Sequence, residues 1–277
     1  MSEAVNTELI HEEGRSLISV ILLFIKLELL TNLVASPFII ISFVLDDYKL
    51  YEACMFVEII GLILSYFYVV SKHCKKEKFK IRVKQKFPIR FLVYMLLIQI
   101  SYTLLYETTL GAFLNRFEVS KNLIESGELW NSAVIFGSIS VCIIGPIVEE
   151  LLYRGVLLEH MRKRYNPLVA VLVSSLFFGI VHGNLHQGVG SFFFGLCLGI
   201  VYVKTNSILA SIFLHMVNNS LYTFTNYPFV DIHAMAPVVI IISLALLVIS
   251  LLLISKTKID ESKKFNFRFL EKHNLAQ

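Results

Sequence analysis

The chain has 277 residues, of which 56% are hydrophobic and only 17% charged. That balance excludes an ordinary soluble domain of this length and is what a helical membrane protein requires. A net charge of +4 calls for no nucleic-acid partner, because basic cytoplasmic loops follow from membrane topology and from the anionic lipid of that leaflet.

Residues 1–15 carry Glu3, Glu8, Glu12 and Glu13 against Arg15, the wrong sign for the start of a cleavable signal peptide. They are expected to be a retained cytoplasmic segment. Eight apolar segments then approach the ~20 residues needed to span a bilayer, near 16–45, 51–71, 88–107, 131–160, 167–182, 188–204, 206–225 and 236–255. Lys26, Glu28, Glu52 and Glu58 lie in the first two. They read as interfacial charges with no catalytic role, since long side chains near a segment end reach the headgroups.

Between the second and third segments stand Lys72, Lys75, Lys76, Lys78, Lys80, Arg82, Lys84, Lys86 and Arg90, opposed by Glu77 alone. Basic residues in short loops mark the cytoplasmic side. Alternate crossings then place Arg162-Lys163-Arg164, Lys204 and the basic tail 256–277 on that side, with Asp46-Asp47 and the 108–130 loop outside. The expectation is an all-α, polytopic protein of about eight transmembrane helices, and a composition rich in Lys, Ile, Phe and Asn suggests an AT-rich bacterial genome and hence a bacterial cell membrane. Residues 16–255 form its membrane domain and both termini are cytoplasmic. Cys54, Cys74, Cys142 and Cys197 are far apart and make no CxxC pair, so no disulfide framework is implied. No feature of the sequence specifies an oligomeric state.

The fourth segment carries Glu149-Glu150-Leu-Leu-Tyr-Arg154. A charge at bilayer depth costs roughly 2.5–3.5 kcal/mol even on lenient insertion scales, so such residues usually face a protein interior and act there. Glu150 and Arg154, four apart, share a helix face and can pair, while Glu149 is rotated about 100° away. Glu149 is therefore free to face a cavity as a general base. A purely structural ion network is the alternative, but it leaves Glu149 unexplained.

His182 closes the run Phe178-Gly-Ile-Val-His182. His186 follows at the spacing of metal-binding pairs, yet Gly183 and Asn184 stand where a metalloprotease helix would carry its glutamate. His186 is read as a loop residue. In the seventh segment His215 and Asn219 share a face, where they could hold an oxyanion or orient a water, or simply bond two packed helices together. These sites meet only if the short fifth segment ends within the membrane thickness, which is tolerated where an unwound end lines a wet cavity.

The order Glu149-Glu150-x-x-x-Arg154, Phe178-x-x-x-His182, His215-x-x-x-Asn219 resembles the three motifs of the CAAX protease and bacteriocin-processing family of intramembrane endopeptidases, over a protease core of about residues 130–225. The resemblance implies an intramembrane active site in which Glu149 activates a water, assisted by His182. His215 and Asn219 would stabilise the oxyanion, with Glu150 and Arg154 bracing the site. Family members have been described both as metalloproteases and as glutamate proteases. Because the histidines lack an obvious paired spacing, a metal-free mechanism without cofactor is favoured, with zinc as the alternative. The implied substrate is a membrane-associated peptide or protein in the lipid bilayer, in peptide maturation, pheromone processing or bacteriocin self-immunity. Two rivals stand beside it. One is a non-catalytic immunity or scaffold protein; the other is a proton-relay transporter, against which the two halves of the chain show no inverted repeat.

Overall fold

A computed structural model describes residues 48–76, 89–117, 134–162, 165–224 and 235–256, with scattered positions between 18 and 40. Among the described residues there is no strand, in keeping with a solvent that offers the backbone no hydrogen bonds. The helices are α1 (Tyr48–Lys76), α2 (Arg90–Leu114), α3 (Ile135–Arg162), α4 (Pro167–Ile180), α5 (Leu185–Thr205), α6 (Ile208–Phe224) and α7 (Ala236–Lys256). The expected first segment, 16–45, lies largely outside the described residues, as do 1–15 and 257–277.

Four helices, α2, α3, α5 and α7, are long and apolar enough to cross a membrane. The expected count of eight is not confirmed by that measure: the first segment lies largely outside the described residues, α1 contributes only the shorter apolar stretch Ile59–Lys72, and α4 and α6 are short. With 14 residues in α4 and 17 in α6, these two extend only about 21 Å and 26 Å at 1.5 Å per residue, short of a hydrocarbon core of about 30 Å. At the basic stretch, Lys72, Lys75 and Lys76 continue α1 and do not begin a loop.

The α4–α5 hairpin is set by local chemistry. Asn166 opens α4 by accepting the Leu168 N–H at 2.8 Å, with Pro167 in the first turn, where its missing N–H costs nothing. After Ile180 the chain reverses through Gly183 at φ +67°, a left-handed conformation that glycine adopts without strain. Asn184 then caps α5 by accepting the Gln187 N–H at 2.8 Å. The two helices cross so closely that a Cβ on Gly179 would stand 2.7 Å from the Gly188 carbonyl oxygen.

Helix α7 packs along α2. Of its residues only Ser243, Ser250 and Ile254 are buried, so small side chains face the partner helix, as is usual between membrane helices. Ile241, Ile242, Leu244 and Leu252 point outward.

Helix α6 lies against α3 and α5, and α3 is irregular. Its backbone widens to π-helical turns at Ser140–Ile144 and Leu151–Leu158, on either side of the Glu149-Glu150 pair. Such turns leave carbonyls without intrahelical donors and are frequent at functional sites. In the first, the Gly145 N–H bonds to the Ser140 oxygen, and the next residue, Pro146, has no N–H to offer Val141. Side chains of neighbouring helices bond to the α3 backbone beside both widened stretches. Asn219 of α6 donates to the Val141 oxygen at 2.9 Å, and Ser174 of α4 donates to the Tyr153 oxygen at 2.9 Å.

Candidate active site

The expected Glu150–Arg154 pair forms, with Arg154 Nη1 2.8 Å from Glu150 Oε1 and both side chains fully buried. Two further contacts hold the guanidinium. Its Nη2 donates to the Gly195 oxygen at 3.1 Å, and its carbon lies 4.7 Å from the centre of the Phe178 ring, within cation–π range. These contacts offset part of the cost of burying the pair, while Glu150 Oε2 and Arg154 Nε are buried with no hydrogen-bond partner among the described residues.

Sequence spacing did not reveal a third member of this group. His215 Nδ1 lies 2.9 Å from the same oxygen, Glu150 Oε1. A carboxylate oxygen accepts, so Nδ1 carries the proton. That leaves His215 Nε2 facing Glu149, whose Oε2 is 3.6 Å away. The separation is too long for a direct hydrogen bond and short enough for one water to contact both groups. The two adjacent glutamates are thus sharply divided: Glu150 is sealed, whereas the Glu149 side chain is 36% exposed.

Glu149 opens onto a cavity of about 550 Å³, shared with His182, His215 and Asn219. His182 sits just past the end of α4, its Nδ1 2.7 Å from the Phe178 oxygen and its Nε2 3.1 Å from Ser191 Oγ. A carbonyl accepts, so Nδ1 is the protonated nitrogen and Nε2 receives the Ser191 hydroxyl. The Phe178 ring meets both histidines edge-on, with centroids 5.1 Å from His182 and 5.5 Å from His215. Each of the six expected residues is therefore placed at one locus: Glu149, His182, His215 and Asn219 at the cavity, and Glu150 and Arg154 behind it.

His186 corrects the expectation of a loop residue. It lies in the first turn of α5, because the helix already starts after the Asn184 cap, and its Nε2 is 3.1 Å from the Leu114 oxygen at the end of α2.

A zinc ion would need three or four donors converging at about 2.0–2.2 Å. Among the described residues no three His, Cys, Asp or Glu side chains are so placed. Of the histidine nitrogens at the cavity, His182 Nε2 meets the Ser191 hydroxyl and His215 Nδ1 is held by Glu150.

Helix α2 supplies a wall that the motifs do not mark. Tyr102 donates to the Gly190 oxygen at 2.8 Å and Tyr106 to the His186 oxygen at 3.3 Å; both line the cavity. Tyr222 closes its rim by donating to Glu107 Oε1 at 3.0 Å. The available signal was the unusual number of polar side chains, Gln99 to Thr109, in an otherwise apolar segment.

Residues 130–221 match the family described as type II CAAX prenyl endopeptidase Rce1-like. The chain is 33% identical over 78 residues to YdiL of Bacillus subtilis (strain 168), by name a membrane peptidase, a match covering 28% of this chain and 32% of YdiL. It is 23% identical over 182 residues to the membrane-embedded CAAX protease MroQ of Staphylococcus aureus (strain USA300), covering 62% of this chain and 73% of MroQ. No solved structure matches.

Proposed function

We propose, on the premise that residues 130–221 are an Rce1-like domain of the CAAX protease family, that this chain is a membrane endopeptidase in which Glu149 activates a water. The observation that carries the reading is the 3.6 Å gap between Glu149 Oε2 and His215 Nε2 at the wall of a cavity. A water held there is within reach of a base and beside a group that can face a developing oxyanion.

In this mechanism Glu149 takes a proton as the water oxygen bonds to the scissile carbonyl carbon. The carbonyl π electrons move to oxygen, which faces the second N–H of Asn219 and the Nε2 edge of the His215 ring, held at Nδ1 by Glu150. Collapse of the intermediate breaks the C–N bond, and Glu149 returns the proton to the leaving amine. His182, steadied by Ser191, borders the reacting water. Arg154 fixes Glu150 and so the direction of the His215 ring.

The substrate we infer is a membrane-associated peptide or protein in the bilayer of a bacterial cell membrane. Peptide maturation, pheromone processing and bacteriocin self-immunity are the roles it would serve. Both termini are assigned to the cytoplasm from the basic residues 72–90; Cys74 should then react with an impermeant thiol reagent only after the inner face is opened, and labelling from outside intact cells would reverse the orientation.

The decisive experiment follows cleavage by purified Glu149→Gln, which keeps size and polarity but cannot take the proton. Turnover should fall by at least the ~10²–10⁴-fold of a lost general base; near-normal cleavage sinks the assignment. In cells, Glu149→Ala and His215→Ala should both abolish product while the proteins accumulate, whereas a binding-only scaffold would tolerate at least one of them. The metal-free reading expects no stoichiometric zinc in active protein, and one tightly bound equivalent that restores chelated enzyme would reverse it.

A further inference from the structure

Gln99 is fully buried on α2, outside the matched residues 130–221. A primary amide in such a place is costly unless bonded. Its Nε2 donates to Thr103 Oγ1 at 3.0 Å and to Asn218 Oδ1 at 2.8 Å. Asn218 Nδ2 in turn donates to Asn219 Oδ1 at 3.2 Å, and Asn219 Nδ2 to the Val141 oxygen at 2.9 Å.

The chain of amides has one consistent direction. The Val141 oxygen can only accept, and Pro146 withholds the N–H that would have filled it, so Asn219 must present nitrogen there and oxygen toward Asn218. Asn218 must then present nitrogen to Asn219 and oxygen to Gln99, and Gln99 must present nitrogen to Asn218. An amide nitrogen has two N–H groups, so with one on Val141 the other N–H of Asn219 remains for the cavity.

We propose that Gln99 is a positioning residue which, through Asn218, holds the Asn219 amide in the orientation that turns an N–H toward the reacting carbonyl oxygen. The inference rests on the endopeptidase reading above. A second observation bears on a packing role: Gln99 Oε1 is buried with no hydrogen-bond partner among the described residues. An orphaned buried acceptor is a standing cost, which an apolar side chain of the same shape removes. Methionine removes that cost but also takes the donor from Thr103 Oγ1 and Asn218 Oδ1, so the two effects oppose each other and the stability change is small beside the expected loss of turnover.

The test compares Gln99→Met, Asn218→Leu and the double variant, with Glu149→Gln alongside. Gln99→Met should keep the thermal midpoint of wild type. Its kcat should fall by about 10- to 100-fold with KM changed by less than about twofold, a loss smaller than the ~10²–10³-fold of deleting an oxyanion donor outright. Because both residues act along one path, the double variant should lose no more than about twofold beyond the larger single loss. Asn218→Asp keeps the side-chain shape at the cavity wall but cannot donate to Asn219. It should show the same fall in kcat, and it decides the matter should Gln99→Met fold poorly.

Wild-type kcat in Gln99→Met and Asn218→Asp overturns the proposal, as do losses that multiply in the double variant or appear in KM. Normal cleavage by Glu149→Gln would instead overturn the general-base reading. A dead Glu149→Gln beside a fully active Gln99→Met removes only the role of Gln99.

Discussion

Helices α3 and α7 are both apolar and long enough to span a bilayer, yet they solve the same problem in opposite ways. Helix α7 runs regularly from Ala236 to Lys256, fully buries only two serines and an isoleucine, and leaves its other residues exposed or partly buried. Helix α3 widens twice, carries Glu149, Glu150 and Arg154 between its ends, and accepts hydrogen bonds on its backbone from side chains of α4 and α6. A regular apolar helix asks nothing specific of its neighbours. An irregular, charged one dictates which side chains its neighbours carry, so the chemistry of α3 is written partly in α4 and α6.

The comparison breaks most severely at Arg154. Arg154→Ala strands Glu150 in a dry interior, and losing one partner of a buried pair costs about 3–5 kcal/mol. Accumulation and thermal midpoint in detergent should both drop, and the His215 bond to Glu150 should suffer with them. Equal stability with lost cleavage would make Arg154 a substrate contact instead.

Making α3 resemble α7 should have an intermediate effect. Pro146→Ala supplies an N–H that competes with Asn219 for the Val141 oxygen. Stability should hold or rise, while turnover should fall about tenfold, equivalent to about 1.4 kcal/mol of lost transition-state stabilisation. An unchanged kcat would mean that Asn219 does not depend on this carbonyl.

The smallest effect is expected on α7 itself. Ser250→Ala removes a buried hydroxyl that has no partner and adds no bulk, so the thermal midpoint should correspond to a change within about 0.5 kcal/mol. A large loss would show that α7 is held to α2 by more than close packing.

Much of the site could be read from spacing, because its key pair is local. Glu150 and Arg154 are one helical turn apart, and the rotation of Glu149 away from them is what gives it the cavity. Spacing could not show that His215 bonds to Glu150, since the two lie 65 residues apart and meet only through helix packing. Nor does the pattern announce a widened turn: Pro146 explains why Val141 needs a donor only once the register at Gly145 is known. Gln99 was visible as a lone amide among Leu97, Ile98 and Ile100, but its partner is on α6. For the helices, hydropathy located the apolar stretches, while the short α4 and α6 show its limit, because hydropathy marks burial in protein and burial in lipid alike.

The short α4 also bears on the lipid around it. A helix of about 21 Å beside neighbours of full length gives the protein an uneven hydrophobic girth, and a bilayer meets such mismatch by thinning locally or by admitting water beside the short element. Local thinning would bring the headgroups toward the polar turn around His182, Gly183 and Asn184. A membrane thinned at that place would bring water toward His182 and the cavity from the side on which α4 ends, so hydration of the site is expected to depend on acyl-chain length.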